Sequence, residues 1–210
     1  MIQAALETFL DRQYRRPSGL AGQWIARRMA RQHQPENAWT ISLLTLQPTD
    51  RVLEVGFGPG VAIQMAAAQV PQGLVAGVDY SPTMVSVARR RNARALRAGR
   101  VELQHGEATR LPFADDIFDK AFTIHTLYFW KEPGQALQEL RRVLKPAGKL
   151  VLTFLARDRW PGEEAAETIA GVYTGQEVAQ LMREAGFVRA YVDEGPQEKP
   201  FREIAVVAIK

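Results

Sequence analysis

Val52-Leu53-Glu54-Val55-Gly56-Phe57-Gly58-Pro59-Gly60 is an apolar run closed by three glycines at alternate positions, and a helical stretch from Gly60 to Val70 follows it. A short β-rich run, a glycine turn and a helix start together open a βαβ unit. Glycines at such a turn let the backbone come close to a ligand and adopt torsions that a side chain forbids, and the helix start presents unpaired N–H groups. Gly56, Gly58 and Gly60 therefore predict a nucleotide-like ligand. Dinucleotide-binding turns place the third glycine one residue further on and seat a pyrophosphate over the helix. The spacing here is tighter. Glu54, just inside the strand, repels a diphosphate and suits a cationic or amino-bearing ligand, directly or through water, which favours S-adenosylmethionine over NAD. A turn that serves only the chain connection is the alternative reading, because a lone glycine motif is weak.

Outward from this turn, short runs rich in Val, Leu and Ile alternate with amphipathic stretches, the pattern of βαβ units around a parallel sheet. The predicted strands are 51–55, 74–79, 100–105, 118–124, 149–154, 187–193 and 202–209. The predicted helices are 60–70, 82–98, 133–144 and 175–185. Ser81-Pro82 supplies an N-cap and first-turn pair, and Gly99 a stop. The fold class is α/β, a Rossmann-like three-layer sandwich. Residues 1–46 fall outside the alternation and look helical, and they are expected to form a cap within the same domain, with 47–210 as the ligand-binding part. A second irregular stretch, 156–173, carries Trp160-Pro161-Gly162 and is expected at the C-terminal edge of the sheet, where open α/β folds bind ligands.

The composition narrows the chemistry. The 210 residues, 46% hydrophobic and 24% charged, fit one globular domain. No run is long and apolar enough to span a bilayer, and the N-terminus lacks signal-peptide character, so a cytoplasmic location is the default expectation. With no cysteine in the chain, thiolate metal sites and cysteine nucleophiles are excluded. His33, His105 and His125 are far apart in sequence, and no metal site is expected. The net charge of +4 is shared with an arginine-rich helix in which Arg90, Arg94 and Arg97 project from one side. No aromatic residues interleave with them to stack on bases, so a solvated face is favoured over a nucleic-acid stripe.

Asp79 gives the glycine turn a partner. It ends the second strand, at the separation where a carboxylate accepts bonds from both ribose hydroxyls, and Ser81 is the better helix cap, which leaves Asp79 for ligand. Tyr80 and Met84, just beyond, are counted with the cofactor site.

The stretches VLEVGFGPG, GVDYSPTMV, GEATRLPFADDIFDKAF and LRRVLKPAGKLVLTF, in this order and spacing, resemble the class I S-adenosylmethionine-dependent methyltransferases, especially the ubiquinone/menaquinone C-methyltransferase-like (methyltransferase type 11) subgroup. The resemblance covers most of residues 36–210. It implies a seven-stranded sheet whose last strand is antiparallel, matched by the closing run 203–209. It also implies that Glu107 receives the adenine amino group, that the N–H of Ala108 meets the adjacent ring nitrogen, and that Thr123, Ile124 or His125 meets the methionine end. Asp115, Asp116 and Asp119 read as turn and strand-entry residues.

Methyl transfer from a sulfonium is an in-line displacement in which the protein mainly supplies alignment and a dry site. A base is needed only if the acceptor must lose a proton. His125, beside Tyr128, Phe129 and Trp130, is the candidate base, and these aromatics are the candidate acceptor wall. Core packing of the aromatics, with His125 bonded to backbone, is an equal alternative. Tyr14 is placed to close over the cofactor if the N-terminal helices form a lid. The expected acceptor is a small apolar or aromatic molecule, handled by a monomer or homodimer. RNA methylation and cofactor binding without turnover are the rival readings.

Overall fold

The computed structural model describes residues 19 and 22, 33–159, 173–196 and 202–210. Tyr14, Trp160-Pro161-Gly162 and most of the expected cap lie outside the described residues. Seven strands form one sheet: β1 (Arg51–Val55), β2 (Leu74–Asp79), β3 (Val101–His105), β4 (Phe118–Ile124), β5 (Leu144–Phe154), β6 (Arg189–Asp193) and β7 (Ile204–Ile209). Their order is β3-β2-β1-β4-β5-β7-β6. The first five pair in parallel, whereas β7 inserts between β5 and β6 and runs antiparallel to both. The chain leaves β1 towards β2 and β3 on one side and later returns to place β4 on the other. The β1/β4 boundary is therefore the switch point, where a crevice opens beyond the strand ends.

Among the described residues six helices cover the sheet: α1 (Gln34–Leu44), α2 (Val61–Gln69), α3 (Pro82–Arg91), α4 (Ala93–Arg97), α5 (Pro133–Val143) and α6 (Gly175–Glu184). Alternate strand residues point to opposite faces, and this period of two divides the core. Leu53, Val55, Ala121, Leu150 and Leu152 pack with Leu137 and Leu140 of α5 and Val178 and Met182 of α6. Val52, Val75, Phe122 and Val151 pack with Ile41 and Leu44 of α1 and Ile63 and Ala66 of α2. In α5, Ala136, Leu137, Leu140 and Val143 form one buried stripe; full burial of each leucine contributes about 2 kcal/mol. α6 starts on a capping box, in which Thr174 and Glu177 satisfy each other's backbone N–H groups.

Two expectations need correction. The helix predicted over 82–98 is two helices, because Asn92 is buried and its amide donates to the carbonyls of Ala88 and Gly60, both at 3.0 Å. The strand predicted to begin at Lys149 begins at Leu144, which pairs with Phe118 before a register shift, and Ala147 lies within it at φ 63°. Pro146-Ala147-Gly148 reads as a turn in the sequence but is a distortion inside a strand here. Finally, α1, the described part of the expected cap, packs on a sheet face, with its start reaching the cavity. Thr40 bonds Thr153 at 2.7 Å, and Lys149 donates to the carbonyl of Leu43 at 3.0 Å.

Asn92 ties the end of α3 to the glycine turn, with Arg91 donating to the carbonyl of Pro59 at 2.9 Å. Asn92→Ala removes two buried hydrogen bonds, although each carbonyl keeps a backbone donor, and is expected to lower unfolding free energy by about 1–2 kcal/mol in urea titration.

Candidate functional site

β1 and β2 end side by side, with Val55 opposite Val78, and the N–H of Gly56 donates to the carbonyl of Val78 at 2.7 Å. The turn then bends away through Gly56 at φ 76° and Gly58 at φ 49°. A Cβ on Gly56 would sit 2.2 Å from the Thr126 side chain, so glycine is required there by packing as well as by torsion. Around Gly58 the space is open for 4 Å, on the side where the turn lines a cavity of about 490 Å³. This cavity occupies the crevice at the switch point.

Asp79 and Glu54 form its acidic floor. Asp79 is buried, and its two oxygens accept the N–H groups of Gly58 at 2.7 Å and Ser81 at 2.8 Å. The expectation that Ser81 caps α3 matches the observed bond from the N–H of Met84 to its hydroxyl at 3.3 Å. Asp79 is nevertheless not idle in the protein, since its carboxylate clamps the glycine turn to the end of β2. A carboxylate has about four acceptor positions, and two remain for a ligand. Burial raises its pKa to about 6, opposed by the N–H groups of Ser81 and Gly58 and by His105. Glu54 is 3% exposed, and its Oε2 has no hydrogen-bond partner. Burial first, then the Asp79 charge, push its pKa well above the usual carboxylate range, against the N–H of Ile63. A cation entering the cavity reverses both effects.

The side wall comes from β2, α3 and the end of β3. Tyr80, Met84, Glu107 and Ala108 all line the cavity. Tyr80 is 46% exposed and stacks on His105 with ring centroids 6.3 Å apart. Gly60 caps α2 at φ 73° from behind the turn rather than lining the cavity.

The wall from β4 departs from expectation. Thr123 is fully buried, and its hydroxyl is bonded to that of Thr126. Strand alternation turns Thr123 away from the cavity, and Ile124, His125 and Thr126 line it instead. Tyr128 is also buried, and its hydroxyl accepts the N–H of Leu155 at 2.5 Å. It fastens the 3-10 turn Leu127–Phe129 to the end of β5, and the aromatics that line the cavity are Phe129 and Trp130. His125 occupies the left-handed region at φ 55° and lies against the His33 ring, centroids 4.8 Å apart. Burial, reinforced by His33, lowers its pKa to about 3, so its imidazole is neutral and a weak proton acceptor at physiological pH. The base with a pKa near neutrality expected from the sequence is not what this environment makes.

Sequence reasoning missed His33 and Asn37, which reach the cavity from the start of α1. His33 and His125 are 92 positions apart, and no local pattern signals that they meet. The arginines behave as expected: Arg90, Arg94 and Arg97 are exposed. So do Asp115 and Asp119, which pair with Arg142 and Lys145 at 2.7 and 2.6 Å, and Asp116, which takes a turn conformation at φ 57°.

Comparison with known proteins places this geometry in context. Residues 53–152 match the family described as Methyltransferase domain. The chain is 28% identical over 159 residues to the uncharacterized methyltransferase YdaC of Bacillus subtilis, covering 76% of this chain and 83% of that protein. It is 32% identical over 126 residues to the ubiquinone/menaquinone biosynthesis C-methyltransferase UbiE of Geotalea daltonii, covering 58% of this chain and 52% of that protein. The chain thus spans about half the length of that relative. A crystal structure of a SAM-dependent methyltransferase from Aquifex aeolicus superposes with a TM-score of 0.73 at 25% identity, covering 88% of this chain and 96% of that one.

The buried bond of Tyr128 sets a test of its role. Tyr128→Phe leaves the N–H of Leu155 without its acceptor and is expected to cost about 1–3 kcal/mol of stability in chemical denaturation.

Proposed function

The chain belongs to the class I S-adenosylmethionine-dependent methyltransferases, and from that premise we propose that it methylates a small apolar or aromatic acceptor lying against Phe129 and Trp130. The observation that carries the cofactor assignment at residue level is the unpartnered Oε2 of Glu54, buried beside Asp79 in the cavity floor. Two buried carboxyls beside a glycine turn suit a ligand with sulfonium and ammonium charges and a ribose diol. They oppose a diphosphate.

When bound, S-adenosylmethionine supplies a methyl carbon already activated by the adjacent positive sulfur. The remaining work is positioning. Asp79 accepts the ribose hydroxyls with the lone pairs that Gly58 and Ser81 leave open. Glu107 and the N–H of Ala108 hold the adenine edge, and Tyr80 and Met84 flank the nucleoside. Glu54 faces the ammonium. Ile124, His125 and Thr126 take the methionine end in place of Thr123. An acceptor lying against Phe129 and Trp130 would be in line with the methyl group to be transferred, and these two side chains would keep water from that line. With several relatives being roughly twice the matched length, the acceptor is read from this cavity and not from their names.

Calorimetric titration of the purified chain with S-adenosylhomocysteine, and separately with NAD, tests the assignment. S-adenosylhomocysteine is expected to bind saturably and NAD not to bind. Asp79→Ala removes two charged hydrogen bonds to the ribose and is expected to weaken binding by about 10–100-fold. Preference for NAD, or an Asp79→Ala variant with unchanged affinity, contradicts the proposal.

A further inference from the structure

His33 and His125, which line the cavity, come together with Glu36, and one ligating atom from each lies within 4.8 Å of the other two. The three side chains arrive from two elements. His33 is the N-cap position of α1 and Glu36 is in its first turn, three residues on and so on the same helix face. His125 is delivered by the end of β4, where the N–H of His125 donates to the carbonyl of Thr153 at 2.9 Å and its left-handed φ of 55° turns the ring towards α1.

What marks the cluster is that each residue holds an orphaned atom. His33 Nδ1, Glu36 Oε2 and His125 Nε2 are all buried without a hydrogen-bond partner. Buried polar atoms are almost always paired, and three neighbouring residues that each keep an orphan call for a common partner. A carboxylate that accepts and two imidazole nitrogens with lone pairs suit a cation. Glu203 adds a second carboxylate, with Oε1 4.0 Å from His125 Nε2. Tyr128 completes the support. Its hydroxyl is 3.4 Å from His125 Nδ1 and is held by the N–H of Leu155, so the ring's other nitrogen is oriented from behind, as ligating histidines usually are.

We propose that His33, Glu36 and His125 bind a divalent cation of borderline softness, with Zn²⁺ as the reference ion, on the acceptor side of the cavity. Two nitrogens and one carboxylate favour Zn²⁺, Co²⁺ or Fe²⁺ over Mg²⁺ and Ca²⁺, which take all-oxygen sites. Bonds of about 2.0–2.1 Å set tetrahedral ligand atoms roughly 3.3 Å apart, so the cluster closes slightly when loaded. Three protein ligands leave a position open, and His33 and His125 line the cavity, so that position faces the acceptor space. A hydroxyl or carboxylate oxygen of the acceptor is the ligand it takes, and a hydroxyl there loses its proton more readily. This last step rests on the methyl-transfer reading, whereas cation binding does not.

The test uses the full chain without an affinity tag, stripped with a chelator. Co²⁺ is titrated in and followed by visible absorption, Zn²⁺ by calorimetry, with Mg²⁺ as the contrast. One equivalent is expected to bind at micromolar or tighter affinity, with an intense tetrahedral-type Co²⁺ band and Mg²⁺ at least 100-fold weaker. The near-isosteric Glu36→Gln, and His33→Ala, each weaken Zn²⁺ binding at least tenfold, with circular dichroism confirming that both variants are folded. Absence of saturable Co²⁺ or Zn²⁺ binding by the wild-type chain overturns the proposal, as does wild-type affinity in Glu36→Gln. S-adenosylhomocysteine is titrated into the same samples. Its binding without metal binding removes only the cation site, and metal binding without it removes only the cofactor reading.

Discussion

The Asp79 carboxylate, accepting the N–H groups of Gly58 and Ser81 at once, is the interaction on which the site depends. It joins the glycine turn after β1 to the cap of α3 after β2, and so sets the shape of the crevice from two strand ends. The turn cannot relax on its other side, because Gly56 is packed against Thr126 and Asn92 holds the carbonyl of Gly60. The sheet, the turn and three helices thus converge on one buried carboxylate. An ionised group so deeply placed is costly, and the protein tolerates it because backbone dipoles offset part of the desolvation.

Glu54 has no comparable compensation for its second oxygen. The floor of the cavity holds two carboxyls that disfavour each other's charge, an arrangement that is unfavourable until a cation arrives. The polarity problem recurs at His33, Glu36 and His125, each with an orphaned atom, and two of the three line the same cavity. Phe129 and Trp130 add an aromatic stretch to the lining of the same cavity. Among the described residues no helix is long and apolar enough to cross a membrane.

Much of this was legible in the sequence because it is carried by local period. The strands β1, β2 and β4 begin and end where alternation and turn residues put them, Gly56, Gly58 and Asp79 follow from spacing along the chain, and Glu107 follows from the family resemblance. What was not legible depends on contacts between distant segments. Asn92 looks like an ordinary helix residue until its amide meets Gly60. Thr123 and Thr126 differ in which faces the cavity only because the chain turns sharply at His125. Tyr128 belongs to the run of aromatics that read as an acceptor wall, yet a bond to Leu155 takes it into the core. His33 seemed remote from His125, and the packing of α1 on β4 and β5 brings them together.

In the proposed cofactor site Glu54 faces the ammonium and Asp79 the ribose, and both carboxyls, whose ionisation burial disfavours, ionise more readily when the positive cofactor is bound. Both have raised pKa values, Asp79 to about 6, so a positive ligand must drive protons off them. Calorimetry of S-adenosylmethionine binding at pH 6 in buffers of different ionisation enthalpy measures this directly, since the ligand's own amino group, with a pKa of about 8, is already protonated there. The account predicts net proton release on binding, diminished in Glu54→Gln. Proton uptake, or binding with no change in protonation, would contradict it.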